Sequence, residues 1–151
     1  MPNITDIQAD DWKTIVEQEK RPVVVEYWHH KCVVCVEMKP IYESLPNRFG
    51  DTVKFTRMNL LDRKENRVFA IRNGVRSTPT FVVYCEGRPI GQIIGQRTPD
   101  EFYAELKLLI DNADSCLLST PIDVNIRKAA ITVVCIIKAP NMRFIFCPFC
   151  W

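Results

Sequence analysis

The sequence predicts an α/β fold, a central mixed β-sheet flanked by helices. Three observations carry that expectation. Short apolar runs rich in β-branched residues, such as residues 23–27, alternate with stretches of helical spacing, as strands joined by crossover helices do. Residues 80–84 and 89–96 flank the turn Glu86-Gly87-Arg88 and read as a closing antiparallel hairpin. All five glycines lie at or before Gly95, so the chain changes style near its end. The expected organisation is an α/β domain over residues 1–113 and an extension over 114–151.

The elements follow in order. Asp10 or Asp11 can cap a first helix to about Glu19, with Trp12, Ile15 and Val16 on one face, and Arg21-Pro22 stops it. Residues 23–27, Val-Val-Val-Glu-Tyr, form a strand buried on both faces, in which Glu26 is the one charge. A helix from about Val33 carries Pro40 inside it and ends at Pro46 or Gly50. Residues 53–59 alternate as a second strand. A short helix opens at Asp62 or Arg63, runs through Ile71 and closes at Asn73-Gly74. After the hairpin, Thr98-Pro99-Asp100-Glu101 is a capping box with proline at the first helical position. It starts a helix to about Asn112 with Phe102, Leu106, Leu109 and Ile110 on its apolar face.

Composition excludes several classes. The formal net charge is +2, too small for an electrostatic case for nucleic acid, and no nucleic-acid partner is expected. The small excess comes from the extension, where Arg127, Lys128, Lys138 and Arg143 face only Asp114 and Asp123. The N-terminal residues lack the basic and apolar regions of a secretory signal. The longest apolar run, residues 129–137, is well short of the roughly 18 residues of a membrane span. A cytoplasmic protein with no membrane partner is expected.

Seven cysteines, two pairs of them at C-x-x-C spacing, are many for a cytosolic chain. In a reducing compartment such pairs are more often catalytic or metal-binding than structural. Cys32 and Cys35 follow a strand and open a helix. That places Cys32 at a helix N-terminal turn, where unpaired N–H groups and the positive end of the helix dipole favour the thiolate. Lys31, His29 and His30 add positive or protonatable neighbours, and thiol pKa values in such settings fall to roughly 3.5–7.5. Cys35 sits one helical turn further on, on the same face, placed to attack a mixed disulfide on Cys32. A structural disulfide or half of a zinc site is the alternative for this pair, as an exposed edge-strand charge is for Glu26.

These residues carry a resemblance. Residues 1–113 resemble thioredoxin in the strand 23–27, Trp28 four residues before Cys32, Pro40 five residues after Cys35, and Ser77-Thr78-Pro79-Thr80 before the next strand. Asn59, Gly95 and the last amphipathic helix match as well. The resemblance implies a thioredoxin-like fold and a protein-disulfide oxidoreductase, with Cys32 attacking and Cys35 resolving. It further implies a cis peptide at Pro79, a substrate segment bound along Thr78 and Gly95, and Trp28 and Lys31 beside the site. Glu26 stands where the family has a buried Asp that relays the resolving cysteine's proton. The implied partners are disulfide-containing proteins and a thioredoxin-reductase-like electron donor, with no bound cofactor. The chain departs from the family at Val33-Val34, where Gly-Pro is usual, at Lys31 for Trp, and at Glu26 for Asp. A reductase is the leading expectation. An oxidase or isomerase on the same fold is one alternative, and a redox-inert adaptor or zinc-binding module is the other.

The extension ends in Phe146-Cys147-Pro148-Phe149-Cys150-Trp151, which resembles the C-P-[FY]-C of glutaredoxins but has no following helix to activate a thiolate. Three readings stand. Cys147 and Cys150 form a second dithiol that docks on the first, or they bind zinc with Cys135 or Cys116, or the segment is passive. Residues 131–137 and 143–146 would pair as a hairpin across Lys138-Ala139-Pro140-Asn141, and so apolar a hairpin would invite dimerisation.

Overall fold

The computed structural model describes residues 3–118, with side chains through Ala113. The expected hairpin in the extension, and Cys135, Cys147 and Cys150 with it, lie outside the described residues, as does the side chain of Cys116.

A five-stranded mixed sheet forms the centre, in the order β1-β3-β2-β4-β5. Its strands are β1 (Thr5–Asp6), β2 (Val23–Trp28), β3 (Lys54–Asn59), β4 (Thr80–Cys85) and β5 (Arg88–Ile94). Helices α1 (Val33–Phe49), α2 (Lys64–Arg72) and α3 (Pro99–Leu118) flank it. The thioredoxin-like architecture expected from the sequence is present.

The strand β2 is buried on both faces, as its unbroken valine run requires. Val24 packs with Met38, Phe55, Phe81 and Phe102 on the side of α1 and α3. Val23, Val25 and Tyr27 pack with Trp12, Val16 and Tyr84 on the other. The helix α1 passes through both Pro40 and Pro46 and stops at Gly50, whose φ of +58° a side chain would disfavour. The hairpin between β4 and β5 turns on Glu86 and Gly87, both at positive φ, as a two-residue connection between right-twisted strands demands. At the start of α3 the capping box is made in both directions. The Thr98 N–H donates to Glu101 Oε2 at 3.1 Å, and the Glu101 N–H donates to Thr98 Oγ1 at 3.4 Å.

Four local features differ from the sequence expectation. The first helix is instead a 3-10 turn, Ala9–Asp11, followed by a five-residue π turn, Lys13–Glu17. Its cap is Gln8 rather than Asp10 or Asp11, and the Asp11 carboxylate accepts the Gln8 N–H at 2.9 Å. Tertiary packing sets this segment, because Trp12 is wedged between Phe69 and Tyr84, at ring separations of 4.6 and 4.7 Å. The short β1 was not expected. Two residues show no alternation, and the strand exists only through its parallel pairing with Thr56 and Arg57. The helix α3 runs on to Leu118, past the expected end near Asn112.

The fourth difference positions the site. Alternation of strands and helices leads one to expect β4 parallel to β2, yet β4 runs antiparallel to it, with Thr80 beside Tyr27. Thr80 pairs with Tyr27, so β4 starts at the end where β2 finishes. Among the described residues no helix is long and apolar enough to cross a membrane.

Phe81 lies at the junction of these elements, fully buried with its ring 4.6 Å from Phe102 and 5.3 Å from Tyr42. Phe81→Ala should lower the unfolding free energy by about 3–5 kcal/mol in urea titrations. A loss under 1 kcal/mol would mean that the packing of β4 against α1 and α3 is not what holds the sheet together.

Candidate active site

The chain leaves β2 at Trp28 and enters α1 at Val33, with Cys32 as the N-cap in extended conformation (φ −93°, ψ 111°). Its sulfur therefore points at the orphan amides of the first turn. The Cys35 N–H donates to Cys32 Sγ at 3.1 Å, so the helix N-terminus faces this sulfur. Cys32 and Cys35 are joined as a disulfide with a Cα–Cα separation of 5.2 Å. The two sulfurs differ in access: Cys32 is half-buried, whereas Cys35 is 2% exposed. An incoming disulfide can reach only the first.

Opposite Cys32 lies the segment that precedes β4. The Thr78–Pro79 peptide is cis, and the Thr78 carbonyl oxygen lies 3.5 Å from Cys32 Sγ. Gly95, at a φ of +79°, donates its N–H to the Pro79 carbonyl at 2.9 Å. Cys32, Thr78 with Pro79, and Gly95 are thus brought to one place from three separate stretches of sequence.

Glu26 is 3% exposed in the middle strand, which removes the edge-strand alternative. Alternation places it on the face of β2 that α1 covers, together with Val24. Desolvation by burial pushes its carboxyl up to about 7. Arg57, beside it in the β2–β3 register, pulls the other way. That pull is weakened because Arg57 already binds Asp6 at 2.7 Å and Glu43 at 3.2 Å, and both carboxylates push Glu26 further up. Arg57 also lies 5.8 Å from the ring of Trp28, the half-exposed residue that ends β2. Sequence reasoning did not single out Arg57, because only the strand register makes it a neighbour of Glu26.

A groove of about 570 Å³ opens beside Thr78 between α2 and the loop before β4, and Lys31 and His29 line it. Its remaining lining, including Arg67 and Arg76, carried no signal in the sequence, because only the fold brings residues 60–78 against the loop at His29 and Lys31. Trp28 and Gly95 do not line it. Cys85 is buried on β4, away from the pair. Among the described residues no cluster of three or more histidine, cysteine or acidic side chains is arranged to hold a metal ion.

An α/β sheet with a cysteine pair at a helix N-terminus, faced by a cis-proline loop, defines the class of thioredoxin-fold dithiol proteins. The thioredoxin family profile matches residues 3–108, and the chain belongs to that family. The chloroplastic thioredoxin M4 of Arabidopsis thaliana is 35% identical over 95 residues, which cover 63% of this chain and 46% of the relative. A thioredoxin of Alicyclobacillus acidocaldarius is 30% identical over 89 residues, covering 59% of this chain and 82% of the relative. The crystal structure of a Malassezia sympodialis thioredoxin shares the fold, with a TM-score of 0.62 at 24% identity over 72% of this chain and 91% of that one.

The Glu26 shift fixes a pH signature. The folded-state value of about 7 lies above the ordinary 4.5, so the folded protein holds a proton that the unfolded chain releases. Stability from this group is present below pH 4.5 and is lost as pH rises to about 7, by about 3 kcal/mol in all. Glu26→Gln, measured by urea unfolding of the oxidised protein, should match wild type near pH 4 and exceed it by about that amount at pH 8. A difference that stays constant with pH would show that Glu26 is not a desolvated acid.

Proposed function

We propose that the protein is a thiol–disulfide exchange enzyme that reduces disulfides in other proteins. The observation that carries the reading is the unequal access of two cysteines at one helix N-terminus, with Cys32 reachable and Cys35 buried beside it. The Cys32 thiolate attacks one sulfur of a substrate disulfide. A mixed disulfide forms, and the other substrate sulfur leaves as a thiolate. Glu26, ionised in part near neutrality, accepts the Cys35 thiol proton. The Cys35 thiolate then attacks Cys32 Sγ and expels the second substrate thiolate. Two electrons pass from the dithiol to the substrate, and Cys32 and Cys35 are left as a disulfide. A thioredoxin-reductase-like donor restores the dithiol, and no bound cofactor takes part.

The resemblance supports the remaining roles. The backbone at Thr78, with Pro79 and Gly95 behind it, holds an extended substrate segment, and Trp28 and Lys31 border the sulfur. Residues 1–113 form the exchange domain, with 114–151 as an extension. The reductase direction rests on Val33 and Val34, which offer the thiolate neither charge nor a side-chain hydrogen bond of the kind that makes a dithiol strongly oxidising. The chemistry requires a reducing compartment, of which the cytoplasm is the simplest.

Insulin reduction driven by dithiothreitol tests the chemistry. Wild type should accelerate it, Cys32→Ser should fall to the uncatalysed rate, and Cys35→Ser should accumulate a mixed disulfide with substrate. Equal rates for wild type and Cys32→Ser would overturn the enzyme reading. Equilibration of the Cys32/Cys35 couple with glutathione or dithiothreitol buffers tests the direction. The reductase reading expects a potential near the roughly −270 mV of thioredoxin, and a value near the −120 mV of a strong oxidant would replace it with the oxidase reading.

A further inference from the structure

We propose that the groove beside Cys32 selects its substrates, favouring disulfides flanked by acidic segments that also carry apolar side chains. The inference rests on the exchange reading above and adds the class of polypeptide that reaches Cys32. The groove, of about 570 Å³, has the size of a site for a few residues of extended chain. Leu60, Leu61 and Val75 give it an apolar lining. Lys31, Arg67 and Arg76 converge on it from the loop before α1, from α2 and from the loop before β4, and no aspartate or glutamate lines it.

These cations contrast with others on the domain. Arg57, Arg63, Arg97 and Lys107 each sit against a carboxylate. Lys31, Arg67 and Arg76 form no ion pair among the described residues. Isolated exposed cations are ordinary solvated groups. Three around one concave, partly apolar lining repel one another and focus a positive field, which an anionic partner relieves. The groove also leads to the chemistry. Thr78 lines it, and the Thr78 carbonyl lies 3.5 Å from Cys32 Sγ, so a segment lying in the groove runs on to the reactive sulfur.

Two disulfide-bonded peptides of equal length, one with Asp/Glu-Leu flanks and one with Lys-Leu flanks, test the inference with the full chain. At low salt kcat/KM should favour the acidic peptide by about tenfold, as two or three modest ion pairs would give. The ratio should approach one at about 0.5 M salt. It should also approach one in Arg67→Gln/Arg76→Gln and reverse in Arg67→Glu/Arg76→Glu. Equal rates for wild type at low salt, or a preference that survives both double variants, would overturn the proposal. Two further arms separate it from the exchange reading. Failure of wild type to reduce the small neutral bis(2-hydroxyethyl) disulfide sinks the chemistry. Fluorescence anisotropy with an acidic peptide carrying serine for cysteine reads the groove alone. Binding that weakens at least tenfold in Arg67→Glu/Arg76→Glu supports it, and undiminished binding overturns it.

Discussion

The reactive end of the molecule depends on where β4 enters the sheet. Pairing of Thr80 with Tyr27 puts the start of β4 against the end of β2. The residues just before β4 then meet the residues just after β2, and Thr78 comes to face Cys32. Were β4 parallel to β2, Thr78 and Pro79 would sit at the opposite end of the sheet. Geometry at the sulfur is therefore a consequence of strand direction, which is set by pairing across the sheet. The buried side chains of β4, Phe81 and Val83 on one face and Val82 and Tyr84 on the other, hold that direction in place.

The same strand arrangement explains how a carboxyl is kept at the centre of the sheet. Burial raises Glu26, and the nearest cation does not undo this, because Arg57 is shared between Asp6 and Glu43. An arginine with no other partner would bind Glu26 as an ordinary ion pair and pull it towards the carboxylate range. Here desolvation wins and leaves a group that titrates near neutrality. The cost, about 3 kcal/mol at alkaline pH, is of the size that burial of one or two large apolar side chains offsets. The sheet around Glu26 supplies more than that in Phe55, Phe81, Phe102 and Leu106, all essentially inaccessible to solvent.

How much of this the sequence discloses follows from the range of each interaction. Local signals were legible. The valine run of β2, the capping box at Thr98 and the turn at Glu86-Gly87 each rest on neighbours in sequence, and each element stands where those residues put it. The Cys32 helix N-cap was legible for the same reason. Non-local features were not. The strand β1, the Glu26–Arg57 pairing and the direction of β4 come from how the strands pair across the sheet. The π turn at Lys13–Glu17 comes from Trp12 packing on Phe69 and Tyr84. The groove gathers Lys31, Arg67 and Arg76 from three stretches that nothing in the sequence connects.

The departures from the family pattern divide by position. Val33 is 72% exposed, so the first residue between the cysteines packs against little. Val33 opens the first turn of α1, where the Cys35 N–H meets Cys32 Sγ, and adds neither charge nor a side-chain donor there. Such a change acts on the balance of thiolate and disulfide. Lys31 instead faces the groove, where it joins Arg67 and Arg76 and leaves the first turn of α1 unaltered. A change there alters the charge of the groove beside the sulfur. The two departures thus flank Cys32 on either side, Lys31 towards the groove and Val33 at the start of α1.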